Sequence, residues 1–424
     1  MNFRESESYL LSLGNEVETM KLGLENIRTL LDALGNPQNN YLKVQVAGTN
    51  GKGSVCAFLD SICFEVGIPT GLYTSPHLVS ITERIKIGGK DVSEEEFARL
   101  ATLVRKTSES LVKDGKLGRV PTYFEQVTAM ALQAFADAKV ELAILETGLG
   151  GRYDATTATK AEIAAITPID LDHQEYLGET IEEIAAEKAA IIHSGSQVVV
   201  GIQRNEARIV IADRLLQLSL PAKPADLVRT ACVSGRTTFE TEKAQYKVEK
   251  LGLIGHHQLE NAKIAILLAE ILQNEFSITP KNIDRGIENA RHPGRLEYVG
   301  RFLFDGAHNI AGAKALREYL DEFVTQPITM IFAAMRDKEI GEIGEILFPK
   351  ANTLILTKPE NSRSIEPDEI VRTMSAKFGR TRIVITQNVK DAIAKAIEVT
   401  DDDALILVTG SLYLVGEAKE MIDN

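Results

Sequence analysis

A chain of 424 residues is longer than one ordinary hydrophobic core supports, so two domains are expected; 44% hydrophobic and 25% charged residues are the balance of a soluble globular protein. The 47 basic against 60 acidic residues leave −13, which argues against nucleic acid or an anionic membrane as main partner while permitting a local positive pocket. Cys56, Cys63 and Cys232 follow no disulfide framework, the start Met1-Asn2-Phe3-Arg4-Glu5 has no apolar signal core, and no run of 18 apolar residues occurs, so a cytoplasmic protein with reduced thiols is expected.

After an opening helical stretch, Leu42–Ala47 reads as a buried strand ending in a glycine-rich turn, followed by a helix over Ser54–Val66 that Gly67 stops. Thr70–Thr74 reads as a strand. Ser93-x-x-Glu96 is a capping box opening a helix to Val112. Val140–Leu145 and Ile163–Ile166 are short apolar runs separated by helical patterns, the mark of parallel strands with crossover helices. Thr237–Val248 alternates like a small antiparallel patch, and Gln258–Ile271 returns to helix. Arg291–Arg295 is the candidate linker. Beyond it, strands near Phe302–Phe304, Thr329–Ala333, Thr353–Thr357, Arg382–Ile385 and Ala404–Val408 alternate with helices such as Ala311–Phe323, Pro367–Lys377 and Val389–Val399. The expected class is α/β: an N-terminal, mostly parallel P-loop ATPase-like domain over 1–293 and a smaller C-terminal Rossmann-like domain over 294–424.

Four motifs carry chemistry. In Gly48-Thr49-Asn50-Gly51-Lys52-Gly53-Ser54, between strand and helix, backbone N–H groups and a helix N-terminus can wrap a phosphate with Lys52 against its outer oxygens. The first glycine stands only four before the lysine, unlike GxxxxGK[ST], and a plain glycine turn is the bland reading. Glu146 leads Thr147-Gly148-Leu149-Gly150-Gly151-Arg152-Tyr153-Asp154 off a strand's carboxyl end, where one carboxylate can serve Mg²⁺; the competing reading is a solvated acid in a loop. His173, closing Thr167-Pro168-Ile169-Asp170-Leu171-Asp172-His173, suits a metal or a phosphate, although a lone histidine is more often structural. Thr180-Ile181-Glu182-Glu183 caps a helix expected to reach His193. Ile181, Ile184, Ala185, Lys188 and Ile192 share its apolar stripe, so Lys188 is paired, neutral or modified if buried, or snorkels if not. A neutral lysine can take up carbon dioxide as a carbamate. Thr122-Tyr123-Phe124-Glu125 fits a capping box, which suffices to explain Thr122 and Glu125, while the two rings can stack on a flat heterocycle.

In order along nearly the whole chain, these motifs resemble the folylpolyglutamate synthases, often also dihydrofolate synthases, of the Mur ligase superfamily. The segments that carry the resemblance are Leu22–Glu25, Gly48–Ser54, Tyr73–Leu78, Glu146–Asp154, Leu171–His173, Glu187–Ala189, His257–Ala262, His292–Glu297, Asp305–Asn309 and Thr409–Ser411. The Thr74-Ser75-Pro76-His77 and Gly148–Arg152 loops set this branch apart from the cell-wall ligases.

The resemblance implies an ATP-dependent ligase that adds L-glutamate to a folate or dihydropteroate carboxylate through an acyl phosphate. It implies ATP contacts from Thr49, Asn50, Gly51, Lys52, Gly53 and Ser54, joined by Asn261, Arg295 and Asp305. Two Mg²⁺ sites would draw on Ser75, Glu146 and His173, with Lys188 carbamylated beside the second. Thr122, Tyr123, Phe124, Glu125, Tyr153, Asp154 and Ala155 would line the acid-substrate pocket, with the loop after Pro76 closing over it. His308 and Ser411 fall to the glutamate side, and His308 joins Lys52, Glu146, His173 and Lys188 in the implied catalytic set. A monomer without nucleic-acid or membrane partners is expected. The chain departs from the usual Arg-Leu-Asp-Ala-Thr-Asn loop with Tyr153 and Thr157, which bears on substrate preference. Two other readings stay open: the same chemistry on a peptidoglycan precursor or cyanophycin-like chain, and a module in which ATP only switches domain orientation.

Overall fold

The computed structural model describes residues 1–14, 23–233, 235–373 and 382–423. Leu22 of the Leu22–Glu25 segment and the end of the expected Pro367–Lys377 helix, beyond Thr373, lie outside the described residues.

The chain forms two compact units. The first comprises Met1–His77, Ile81–Gly252 and Leu259–Arg291. Its main sheet holds β1 (Leu42–Ala47), β2 (Thr70–Tyr73), β3 (Ile85–Ile87), β4 (Lys90–Asp91), β5 (Leu142–Glu146), β6 (Ile163–Ile166), β7 (Gln197–Val200) and β8 (Ala222–Pro224), in the order β4-β3-β2-β5-β1-β6-β7-β8. All neighbours pair in parallel except β2–β3 and β3–β4. Strands buried on both faces read as unbroken apolar runs, as Leu142–Leu145 does. By register Tyr73, Leu145, Ala164 and Ile166 share one face, which packs toward β2 and β5 on a cluster around Phe97, Val127 and Phe135 and toward β6 and β7 on Ile184, Ile192 and Ile211. The crossover from β1 to β2 leaves a place that β5 fills, and β6 continues on the other side. β1 is therefore flanked by strands reached in opposite directions, the arrangement that opens a crevice at carboxyl ends.

A three-stranded antiparallel sheet, β9 (Arg229–Val233), β10 (Arg236–Glu240) and β11 (Gln245–Val248), completes this unit. β10 and β11 are the expected patch, and β9 adds a third strand.

The expected helix from Ile181 to His193 stops at Ala189. Ile192 N–H turns back to Ala189 O at 3.0 Å, the Arg214 guanidinium holds Ile192 O at 2.7 and 3.1 Å, and the His193 ring bonds Ala161 O at 2.8 Å. Ile192 is still buried, so the apolar stripe outlasts the helix.

The second unit comprises Leu78–Ser80, Leu253–Gln258 and His292–Asn424. Its sheet, in the order β12 (Glu297–Val299), β13 (Phe302–Asp305), β17 (Leu405–Thr409), β14 (Ile328–Phe332), β15 (Thr353–Leu356) and β16 (Arg382–Ile385), is parallel apart from β12. Helices such as Ile310–Phe323 and Val389–Val399 pack on its two faces. The α/β class with a large, mostly parallel sheet and a second α/β sheet is thus observed.

Candidate active site

Four loops leave the carboxyl ends of β1, β2, β5 and β6 at one edge of the first sheet. After β1, Gly51 takes φ +89° as the N-cap of the helix Lys52–Val66, whose first turn has no side-chain cap. Glycine is needed there twice over: for the left-handed backbone, and because a methyl would run into Asn261 Oδ1. Asn261, on the helix His257–Leu272, is far along the chain yet lies against the loop.

The loop is stitched to the segment after β6. Thr49 and Asn50 donate their N–H groups to Pro168 O at 3.0 and 3.3 Å. Thr49 Oγ1 donates to Asp170 O at 3.0 Å and accepts from Asp170 N–H at 3.1 Å. Those two amides are spent within the protein, so a phosphate would meet the amides from Gly51 onward at the uncapped helix start. Lys52 Nζ folds over its own loop, donating to Gly48 O and Thr49 O at 3.1 and 3.3 Å.

Glu146 is the last residue of β5 and is buried, and its Oε2 accepts the N–H of Ser75 at 3.1 Å. Two of the residues expected around a cation are therefore adjacent. His173 follows the β6 loop in a left-handed conformation, φ +50°, rare for a non-glycine residue and frequent where function imposes it. Asp172 Oδ1 accepts the His173 N–H at 2.9 Å and its Oδ2 lies 3.9 Å from His173 Nε2.

The glycine loop after β5 wraps one internal carboxylate. Asp154 is fully buried, with Oδ2 accepting from Gly148 and Leu149 N–H at 2.9 and 3.0 Å and Oδ1 from Thr156 N–H at 3.0 Å. Burial raises its carboxyl above the usual range against the pull of these bonds. Asp154 thus clamps the loop, while Tyr153 beside it is exposed. Gly148 is covered by the Phe124 ring, and Gly151 sits against Glu187 O and Lys188 O, each too close for a side chain.

Lys188 is 4% exposed. Burial, helped by the Lys52 ammonium, pulls its amine down to about 7 against the opposing pull of Asp172 and Asp154. Of the two alternatives left by the helical pattern, the buried lysine is the one realised.

Thr122 and Glu125 form the expected capping box, Thr122 N–H donating to Glu125 Oε2 at 2.8 Å and Glu125 N–H to Thr122 Oγ1 at 3.3 Å. Tyr123 is buried under the Arg84 guanidinium, 5.5 Å from its ring centre, and Phe124 faces Tyr73 at 6.0 Å. Arg84 also donates Nε–H to His77 Nδ1 at 2.8 Å; burial and this guanidinium push the imidazole down to about 3, so His77 is neutral.

In the second unit, Arg295, Asp305, His308 and Ser411 gather at the carboxyl ends of β13 and β17, where Asp305 pairs with Thr409. Asp305 is buried, its oxygens accepting Leu296 and Ala307 N–H, each at 3.0 Å; burial raises its carboxyl although Arg295 pulls the other way. His308 Nδ1 lies 2.7 Å from Gly306 O, and Ser411 Oγ accepts Tyr413 N–H at 3.2 Å. Sequence reasoning passed over Gln45 and Arg84. A glutamine inside an apolar strand was a readable signal, whereas nothing set Arg84 apart from other arginines.

These features define a phosphate-loop nucleotide-binding domain joined to a doubly wound α/β unit. Residues 46–269 match the Mur ligase middle domain and 294–412 the Mur ligase glutamate ligase domain. The chain is 33% identical to the dihydrofolate synthase/folylpolyglutamate synthase of Bacillus subtilis over 95% of both proteins. The folylpolyglutamate synthase of Mycobacterium tuberculosis complexed with ADP superposes with a TM-score of 0.92 at 30% identity, covering 100% of this chain and 98% of that one. A probable bifunctional folylpolyglutamate synthase/dihydropteroate synthase of Halobacterium salinarum is 35% identical over 99% of this chain, which spans about half (51%) of that relative's length. The chain belongs to the folylpolyglutamate synthase/dihydrofolate synthase family of the Mur ligases.

Proposed function

We propose that the chain joins L-glutamate to a folate-type carboxylate at the expense of ATP, extending tetrahydrofolate and, as a second activity, converting dihydropteroate to dihydrofolate. The observation that carries this is the convergence of an uncapped helix start after Gly51, the Ser75–Glu146 pair and buried Lys188 around one sheet edge. It is supported by the names of the relatives.

The acid's carboxylate attacks the γ-phosphorus of ATP and ADP leaves. The amine of glutamate then attacks the acyl phosphate carbon and phosphate leaves. A carboxylate is a poor acceptor for an amine, so the protein's work is to supply a leaving group and hold the reactants in line. Amides from Gly51 through Ser54 and the Lys52 ammonium bind the phosphates, Asn261 backs the loop, and Phe124, Tyr153 and Ala155 flank the acid. Arg295 and Asp305 serve the nucleotide, and His308 and Ser411 the glutamate, so that 1–293 hold the ATP phosphates while 294–424 bring the amino acid and further contacts to the nucleotide.

Among the described residues no group of three or more His, Cys, Asp or Glu is arranged to cage a metal ion. One buried carboxylate beside a serine is instead the sparse, hard-oxygen set that suits Mg²⁺, which keeps waters and takes phosphate oxygens. Glu146, Ser75 and His173 would hold it at two sites, where it supplies neutralisation of phosphoryl charge. Lys188, carbamylated, would present an oxyanion to the second. No helix among the described residues is long and apolar enough to cross a membrane. The proposed enzyme is a cytoplasmic monomer.

The test is mass spectrometry of products from dihydropteroate and from a tetrahydrofolate, each with ATP, Mg²⁺ and glutamate. A mass gain of one glutamyl residue with ADP release is expected. Absence of product from both acids overturns the reading.

A further inference from the structure

Gln45, in the middle of β1, is 1% exposed. Its Nε2 shares two N–H groups among three hydroxyls of the glycine loop: Thr156 and Thr157 Oγ1, both at 2.8 Å, and Thr147 Oγ1 at 3.2 Å. Two of these hydroxyls have already given away their only proton, Thr156 to Asp154 Oδ1 at 2.5 Å and Thr157 to Gly151 O at 2.7 Å. Their oxygens can only accept, so the group facing them has to be a donor, which fixes the amide's orientation. The other end, Gln45 Oε1, is buried and has no hydrogen-bond partner among the described residues. A leftover buried acceptor is costly, and an apolar side chain of the same length would avoid that cost. What the amide gains is its hold on the loop: it ties Thr147, next to Glu146, and reaches Asp154 and Gly151 through one hydroxyl each.

We propose that Gln45 is a positioning residue for the acid substrate, acting through the threonine hydroxyls to set the loop Thr147–Thr157. The inference rests on the reading that this loop borders the acid pocket. Every hydrogen bond of the Gln45 amide among the described residues goes to that loop and none to the phosphate loop, so the effect should fall on one substrate.

The experiment compares Gln45→Met, Thr157→Val and the double variant by KM for the folate-type acid, KM for ATP, kcat and Tm. Gln45→Met should raise the KM of the acid about tenfold and leave the KM of ATP within about twofold. The double variant should be little worse than Gln45→Met alone, because both act on one network. A lowered Tm with both KM values unchanged, or an equal rise in the KM of ATP, overturns the proposal. If Gln45→Met does not fold, Thr157→Val decides: the same selective rise supports the proposal and an unchanged acid KM overturns it. Wild-type protein yielding no glutamylated product would sink the functional reading instead, so the two failures are distinguishable.

Discussion

The backbone N–H of Ser75 is bonded to Glu146 Oε2 at 3.1 Å, joining the loop after β2 to the end of β5, its neighbour in the sheet. The bond holds the carboxylate in place but does not need its negative charge. Glu146→Gln should therefore keep the fold, since an amide oxygen can still accept from Ser75. Turnover should fall on the order of a hundredfold or more, because charge neutralisation at the phosphates is lost. Tm and steady-state ADP release with a tetrahydrofolate check both halves; unchanged turnover would remove Glu146 from the site.

Gly51 and Gly67 have almost the same backbone, φ +89° and +82°, but only at Gly51 does a methyl meet another group, Asn261 Oδ1. Alanine at either costs about 1 kcal/mol of stability through the left-handed conformation. Gly51→Ala should in addition raise the KM of ATP about tenfold by displacing Asn261 or the loop. Gly67→Ala, with nothing within 4 Å, should leave it unchanged. Nucleotide titration calorimetry on the two variants makes the comparison.

Asp154 accepts from two amides at one oxygen and one amide at the other, so both ends of the side chain face donors. Asparagine would turn an NH₂ group toward at least one of them. Asp154→Asn is expected to cost about 2 kcal/mol of stability, and the acid substrate should bind more weakly. Urea denaturation measures the first and the KM of the acid the second.

Lys188 titrates at about 7 in the folded protein and at about 10.4 in an unfolded chain. Between those values the unfolded chain binds more protons than the folded one, so this lysine makes stability rise with pH across the window. Below about 7 both states are charged and its burial penalty is felt in full. Lys188→Met should be more stable than wild type near pH 6 to 7, with the rise toward pH 10 removed; denaturation curves at several pH values test the sign. The neutral amine, abundant above pH 7, is also the form that takes up carbon dioxide, so bicarbonate should raise activity in wild type and not in Lys188→Met.

Strands β1, β2, β5 and β6 of the first sheet and β13 to β17 of the second were legible because parallel strands buried on two faces leave unbroken apolar runs, as in Leu142–Leu145, whereas β7 (Gln197–Val200) went unread. The short strands β3, β4, β8 and β12 were not legible either, since two or three residues are too few to show a period. The apolar stripe through Ile192 carried the expected helix too far, because burial in a tight turn uses the same residues as burial on a helix face. At the site, Lys52, Glu146 and Lys188 stood out by chemistry against their surroundings. The closeness of Asn261 to Gly51 did not, because no local pattern encodes which distant helix covers a loop. The role of Asp154 as an internal clamp was equally hidden, since a buried carboxylate satisfied by amides looks the same in sequence as one awaiting a ligand.

Pro168 O, by taking the amides of both Thr49 and Asn50, has a kinetic consequence. The curvature of the phosphate loop is set when the sheet folds, by a neighbouring strand connection, before any nucleotide arrives. An incoming triphosphate has no slack backbone to organise there, so capture should be a single-step encounter whose rate scales linearly with concentration, without the plateau of a slow rearrangement.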